Sequence, residues 1–358
     1  MGKDLSDGAT QHNLITPPHS IPVFKEREIT LKEKMKILNY GAGAVGLGLD
    51  SCLLKAGEDI DMVARPKTVA ALNKNGLIRR GIFGNFKASP KMFNCYASLD
   101  KVPAGAYDFI LVTTKSFDSK EAAKDIARHP KLFHSQTRVV LCQNGWGNAE
   151  IFASSFPKKQ IYNMRIITGF TRPKPNEVTM TVHADSILIG SLFGGELKYI
   201  EKLCRAITKG GIPCRLSPDI GKDLWAKMLY NCALNSLGAI FEVPYGVLGQ
   251  HEFSRDLMNE IIREAFLVMK KSGHKTHWPS ANAYLKVFYR KFLPKTAKHN
   301  SSTLQDIKAK KRTEIDALNG MIVNLAERLK IPSPVNRLVY KIVKFIELRN
   351  VAEGLTRK

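Results

Sequence analysis

The stretch "MKILNYGAGAVGLGLDSCLLKAG" constrains the fold more than any other part of this chain. An apolar strand over Lys36–Tyr40 runs directly into Gly41-Ala42-Gly43-Ala44-Val45-Gly46, and a helix follows that ends near Gly57. The glycines match G-x-G-x-x-G. The first allows a tight turn, the second lets backbone amides approach a pyrophosphate, and the third lets helix and strand pack closely, with the helix N-terminus aimed at the anion. Alone the spacing is weak, but between a strand and a helix at the start of a βαβ unit it has the context a dinucleotide site requires.

The next segments continue the pattern. "DIDMVAR" (59–65), "YDFILVTTK" (107–115) and "RVVLCQNG" (138–145) are strand-length apolar runs with polar ends, and "SFDSKEAAKDIARH" has helical spacing. Strands alternating with helices predict a parallel sheet covered on both faces. Ligands bind beyond the carboxyl ends of such strands, which singles out Arg65, Lys115 and Asn144. An Asp or Glu at the end of the second strand would suit the ribose hydroxyl of NAD, whereas Arg65 suits the 2′-phosphate of NADP. Lys115 can reach an anionic or ribose group, and Asn144 can donate and accept toward a nicotinamide or substrate. Gly145 and Gly147 are expected to let that loop pass close to the ligand.

From about residue 160 the pattern changes. "NEVTMTVHADSILIGSLF" reads as one or two strands and "LKYIEKLCRAITKGG" as a helix. Beyond 222 nearly everything reads as helix: 222–241, 252–273, 278–292, 303–329 and 334–350. Ser217, Pro218 and Gly221 mark a boundary, giving a sheet domain over 36–218 and a helical domain over 219–358. Residues 1–35, polar and with Pro17, Pro18 and Pro22, read as a flexible extension. "MGKDLS" also fits a loose myristoylation pattern.

Within the helical half, "WAKMLYNCALNSLGAI" (225–240) places Lys227, Asn231 and Asn235 four apart among apolar residues. Positions i, i+4 and i+8 form one slanted stripe of a helix. Buried polar groups need partners, so the stripe is either a polar seam between helices or the wall of a site. A second segment, "NSSTLQDIKAKKRTEIDALNG", offers Ser302, a carboxylate at Asp306 and another at Glu314, eight residues apart and so expected on one helical face. Ser302 could instead cap the helix, and Glu314 could pair with Lys310 or Lys311.

Composition sets outer limits. With 55 Lys+Arg against 32 Asp+Glu the chain carries +23, a field that attracts phosphorylated cofactors, carboxylates, nucleic acid and anionic lipid alike. No zinc-finger spacing, aromatic-basic motif or basic arm accompanies it, so nucleic acid is disfavoured as a partner. No run reaches the roughly 20 apolar residues of a membrane span. Six cysteines lack metal-ligand or disulfide spacing, so no metal is expected and a cytoplasmic location is the default.

"WAKMLYNCALN" with "SSTLQD…RTEIDALNG", after the glycine turn, "VTTK" and "QNGWGN", resembles the ketopantoate reductase (2-dehydropantoate 2-reductase) family over about residues 36–345. The resemblance implies an α/β fold, with a Rossmann-type NADP-binding domain joined to an all-helical domain as in 6-phosphogluconate dehydrogenase, and an active site between the two. It implies NADPH-dependent reduction of ketopantoate to pantoate, on the route to pantothenate and coenzyme A. Gly41 to Gly46, Arg65, Lys115, Asn144 and Glu314 would bind NADPH. Lys227 would be the catalytic proton donor, with Glu314 contacting the cofactor or positioning Lys227 and keeping it charged. Asn144, Lys227, Asn231, Asn235 and Ser302 would hold the 2-oxo acid. Tyr245 and His299 depart from the pattern at substrate-side positions, and "VHADSILIG" lacks glycines frequent there. A reductase of another 2-oxo acid is therefore the nearest alternative. A non-catalytic protein that binds NADP or nucleic acid is a remote one. A homodimer is compatible with either enzyme reading.

Overall fold

The structure, a computed structural model, describes residues 34–356, and these fall in one compact unit. The extension predicted for 1–35 and the myristoylation pattern lie outside the described residues, apart from Lys34 and Met35; Met35 is buried.

The first half is built on a sheet of ten strands. In chain order these are β1 (Lys36–Tyr40), β2 (Asp59–Val63), β3 (Leu77–Gly81), β4 (Phe86–Ala88), β5 (Asn94–Tyr96), β6 (Phe109–Val112), β7 (Arg138–Leu141), β8 (Ile161–Lys174), β9 (Glu177–Gly190) and β10 (Cys214–Leu216). They lie in the order β4-β3-β9-β8-β7-β6-β1-β2-β5, with β10 beside β9. From β8 through β7, β6, β1 and β2 to β5 all pairs are parallel. The sheet is not parallel throughout, as the alternation predicted. β8 and β9 form a long antiparallel hairpin, and β3 with β4 is antiparallel too. The sequence reading also passed over β8, whose glycine and arginines interrupt any simple alternation.

Strand alternation divides the core into two layers. Ile37, Leu111 and Val140 face helices α1 (Ala44–Ala56) and α5 (Glu201–Lys209). Leu38, Ile110 and Val139 face α3 (Ser119–Ala127) and α4 (Asn148–Ala153) on the other side. A short α2 (Pro66–Asn75) follows β2. Successive side chains of a strand point to opposite faces, so a doubly covered sheet favours strands that are largely apolar on both faces.

The second half comprises α6 (Ile220–Ile240), α7 (Tyr245–Gln250), α8 (Glu252–Lys271), α9 (Ala281–Val287), α10 (Leu293–Lys295), α11 (Ser302–Lys308), α12 (Asn319–Arg328) and α13 (Pro334–Thr356). α6 is its axis: from Met228 to Ala239 every residue is buried. Its Trp225, Leu229 and Leu237 share a core with Met258 and Ile262 of α8, Tyr284 of α9, and Ile322 of α12.

The single helix predicted over 303–329 is two helices with a break between them. Lys310 takes a left-handed φ of 52°, and Thr313 donates both its backbone N–H (2.9 Å) and its hydroxyl (2.7 Å) to Glu347 of α13. A run of like charges, "KAKKR", gives that stretch no reason to stay helical against such a tertiary contact. Asp306 and Glu314 therefore do not share a helical face.

Beneath the glycine turn lies a buried polar chain. Asp50 of α1 accepts a bond from Asn39 Nδ2 (2.7 Å), and Thr113 donates to Asn39 Oδ1 (2.7 Å) while its hydroxyl also lies against the carbonyl of Gly41. Burial pushes the Asp50 carboxyl up to about 8, against the opposing bond from Asn39. The folded protein thus holds a proton that the unfolded chain releases near pH 4 (about 3.9). The resulting penalty is absent below that pH, grows as pH rises, and is complete above about 8. Asp50→Asn should therefore raise the melting temperature more at pH 9 than at pH 6 in thermal denaturation. A gain that is the same at both pH values would contradict a buried, protonated Asp50.

Candidate active site

The glycine turn is built as its spacing requires. Gly41 has a φ of +118°, and a Cβ there would fall 2.8 Å from the backbone nitrogen of Thr114. At Gly46 a Cβ would sit 2.2 Å from the carbonyl oxygen of Gly41, so helix and turn can close only on glycine. Gly43 differs: a Cβ there would meet nothing closer than the Thr113 carbonyl at 3.9 Å. Packing within the protein does not need Gly43, and the missing side chain leaves room beside the start of α1. That helix has no side-chain cap and no acidic residue in its first turn, so its leading amides face outward without a competing anion. Ala42 is buried under the turn, with Ala44 and Val45 packed against the core behind it.

Arg65 ends the second strand's run as the exposed residue preceding α2. It takes no part in the hydrogen bonds among the other charged site residues, which meet where sheet and helices join. There Lys227 Nζ donates to Asn144 Oδ1 at 2.6 Å. Asn144 Nδ2 donates to Glu314 at 3.2 Å. Glu314 also accepts from the backbone N–H of Ser116 (3.0 Å) and from Lys115 Nζ (3.3 Å), and Lys115 makes a closer bond to Asp306 at 2.6 Å. The predicted residues Lys115, Asn144, Lys227 and Glu314 are thus one chain of contacts, drawn from the ends of β6 and β7, from α6, and from the break before α12.

This arrangement sets the charges. Burial alone would raise the Glu314 carboxyl, but the Lys115 ammonium and the bonds from Ser116 and Asn144 hold it below its usual range. Burial likewise works against the Lys115 ammonium, and the Glu314 and Asp306 carboxylates more than offset it, keeping Lys115 charged. Lys227 behaves differently. Burial, aided by the positive charge of Arg165, pulls its ammonium down to about 7, and Glu314 only partly opposes this. Glu314 touches Lys227 through Asn144 rather than directly, so the expectation that it keeps Lys227 fully charged is corrected. The residue poised there exchanges its proton near neutral pH.

Along the same face of α6, Asn231 joins Lys227, Asn144 and Met164 around a void of about 10 Å³, room for one water. One turn further, Asn235 Nδ2 donates to Ser302 Oγ at 3.4 Å, and Tyr245 donates to Asn235 Oδ1 at 2.5 Å. Ser302 does not cap α11; Ser301 does, accepting from the N–H of Leu304 at 2.9 Å, which leaves the Ser302 hydroxyl to the site. His299 packs edge-on to Tyr245. A larger cavity, about 450 Å³, shares Glu314 with this region but not Lys227, and is lined by Trp146, Arg312 and Met321 among others.

Gly145 has a φ of +87°, and a Cβ there would strike the Ala317 carbonyl at 2.4 Å; at Gly147 it would meet the Met321 side chain at 2.9 Å. Both glycines bring the loop against the helical half, and Gly145 also lines the void beside Lys227 while Gly147 lines the larger cavity. Arg165, unmarked in the sequence, lies buried on β8 and donates to Asp185 of β9 at 2.7 Å. Only the hairpin register brings its charge near Lys227, so no local spacing could have revealed it. Among the described residues no group of three His, Cys, Asp or Glu could hold a metal ion, and no helix is long and apolar enough to cross a membrane.

A glycine-turn sheet joined to a helical half, with a lysine buried where they meet, defines a nicotinamide-dependent oxidoreductase. The comparisons with known proteins place it further. The family models described as "Ketopantoate reductase PanE/ApbA" and its C terminal match residues 37–194 and 219–347. The chain is 36% identical over 320 residues to a 2-dehydropantoate 2-reductase of Aquifex aeolicus, covering 89% of this chain and 99% of that one. It is 30% identical to another from Pyrococcus horikoshii, covering 87% and 97%. The crystal structure of a PanE/ApbA family ketopantoate reductase from Ralstonia eutropha superposes with a TM-score of 0.75 at 28% identity, over 88% of this chain and 99% of that one. This chain belongs to the ketopantoate reductase family.

The charge network makes a direct prediction. Lysine side chains labelled with ¹³C at Cε should show one resonance titrating near pH 7, absent in Lys227→Ala. Glu314→Gln removes the one charge that raises this pKa and should move the midpoint to lower pH. An unmoved midpoint would mean that Glu314 does not act on Lys227.

Proposed function

We propose that this protein reduces 2-dehydropantoate to pantoate with NADPH, and that Lys227 is the proton donor. The observation that carries the reading is the buried Lys227 ammonium, bonded to Asn144 and tied through it to Glu314. The residues present fit a dinucleotide. The open space at Gly43, the uncapped start of α1 and the guanidinium of Arg65 suit a pyrophosphate and a 2′-phosphate. Lys115 and Glu314 would hold the nicotinamide end, with Asn144 between cofactor and substrate. The reduced nicotinamide, when bound, supplies the hydride that forms the new C–H bond of the product.

The chain's own residues account for the rest. Negative charge grows on the ketone oxygen as the carbonyl is reduced, and an ammonium beside it stabilises that charge and then delivers the proton. A donor that exchanges near pH 7 gives up its proton readily, and an anionic substrate favours its charged form on binding. Asn144 aims Lys227 by accepting from it, and Glu314 fixes Asn144 in the orientation that can accept. Asn231 would contact the ketone or hydroxyl end. Asn235 and the Ser302 hydroxyl would hold the carboxylate, with Tyr245 fixing the Asn235 amide. The void of about 10 Å³ beside Lys227 is far too small for a 2-oxo acid, so the sheet and helical halves must part to admit one.

On this reading the chain divides functionally into a nucleotide-binding part over 36–218 and a substrate-binding part over 219–358. The six thiols are free and buried, which supports a reducing compartment, and we place the enzyme in the cytoplasm. A second reading, reduction of a different 2-oxo acid, is favoured only by Tyr245, whose hydroxyl occupies an Asn235 oxygen that could otherwise accept from a substrate hydroxyl.

NADPH oxidation measured with ketopantoate and a panel of other 2-oxo acids tests both readings, with ketopantoate expected to give the highest kcat/KM. A better substrate elsewhere in the panel would favour the second. Lys227→Ala should lower kcat by about 10²-fold or more, and unchanged turnover would refute the proton-donor role. Because the reaction needs the protonated amine, kcat/KM should fall as pH rises through about 7. A rate that stays level to pH 9 would contradict it.

A further inference from the structure

Arg172 lies near the end of β8 and is absent from the charge network described above. Its guanidinium reaches back to the nucleotide end. One terminal nitrogen donates to the Ala42 carbonyl inside the glycine turn at 3.0 Å, and the other to the Thr68 hydroxyl in the first turn of α2 at 2.9 Å. The side chain therefore spans the gap between the two elements that frame the end of β2, where Arg65 stands.

The hairpin is fixed in this position. A Cβ on Gly48 would fall 2.4 Å from the Phe170 ring, so α1 accepts that ring only because residue 48 is glycine. Phe170 is buried, and Arg172 follows two residues later. Arg172, itself exposed, is thus placed by the packing of Phe170 and by its own two hydrogen bonds.

Its electrostatic situation also points to an anion. Among the described residues, neither Arg65 nor Arg172 forms an ion pair, and Arg172 bonds only to neutral oxygens. The positive charge of Arg65 is felt at Arg172, adding to the effect of burial in lowering its affinity for its proton. The Asp118 carboxyl feels Arg65, and its own burial raises it. Two guanidiniums that repel one another, with no carboxylate bonded between them, gain most from a doubly charged group that both can reach. The guanidinium carries five N–H donors, of which two are committed here.

We propose that Arg172 is a second specificity residue at the adenosine end, and that it and Arg65 together grip the 2′-phosphate of NADP. The inference rests on the reading of Arg65 as facing that phosphate, and it extends the recognition to a strand that the βαβ unit does not include. Arg172 also ties the phosphate seat to the glycine turn through Ala42, so the same side chain holds the turn and reads the nucleotide.

Calorimetric titration with 2′,5′-ADP, 5′-AMP, NADP⁺ and NAD⁺ tests this in the full chain without any turnover. The unmodified protein should prefer 2′,5′-ADP over 5′-AMP. Arg172→Gln keeps an amide to bond Ala42 but loses the charge. It should weaken 2′,5′-ADP and NADP⁺ by roughly 10-fold or more while leaving 5′-AMP and NAD⁺ within about two-fold, as expected for a lost charge-assisted bond. Arg172→Lys should recover part of the loss. Equal weakening of all four ligands would make Arg172 a support of the turn alone and overturn the inference. If Arg65→Gln abolishes the preference and Arg172→Gln does not, the inference falls while the NADP reading stands. If the unmodified protein shows no preference for the 2′-phosphate, the NADP reading itself fails.

Discussion

The Glu314 carboxylate is buried at the junction of the two halves, and the geometry of the site depends on how its charge is met. It accepts from a backbone amide, a side-chain amide and an ammonium, from Ser116, Asn144 and Lys115 respectively. Without partners a buried carboxyl would take a proton, so these donors are what keep Glu314 ionised. All three come from the carboxyl ends of β6 and β7, while Glu314 comes from the helical half. Meeting the charge therefore registers one half on the other. It also leaves Asn144 with its oxygen turned toward Lys227, the only orientation in which its amide can still donate to Glu314.

That single registration explains the contrast between the two lysines. Lys115 is held between two carboxylates and stays charged, which suits a binding group. Lys227 meets a neutral amide and feels Arg165 as well as Glu314, and its proton becomes exchangeable near pH 7. Two residues of one type, at most a few contacts apart, are fitted for different work by their surroundings. The break between α11 and α12 belongs to the same design. A continuous helix would carry Glu314 along the axis of α11, whereas Thr313, anchored on Glu347, turns the chain so that Glu314 meets Ser116.

Much of this was legible in the sequence where the signal is local. The glycine turn is a matter of spacing, and the reason for Gly41 and Gly46 can be seen in what a Cβ would strike. The stripe of Lys227, Asn231 and Asn235 follows from helical periodicity. Lys115 and Asn144 follow from the rule that ligands lie beyond strand ends. What was not legible depended on tertiary contacts. The 303–329 helix was overextended because its break is made by Glu347, more than thirty residues away. Ser301 and Ser302 are indistinguishable as caps until the start of α11 is known. Arg165 and Arg172 sit on a hairpin strand whose irregular register gives them no recognisable period. That Gly145 and Gly147 also pack against the helical half cannot be inferred from their own neighbourhood.

The central claim is that Asn144 transmits the state of Glu314 to Lys227. A double-mutant cycle on kcat/KM, combining Asn144→Ala with Glu314→Gln, tests it most directly. If Asn144 is the link, then at saturating NADPH the effect of Glu314→Gln should shrink markedly once Asn144→Ala is present, leaving only the direct charge of Glu314 on Lys227. Independent effects that multiply in the double variant would contradict the account.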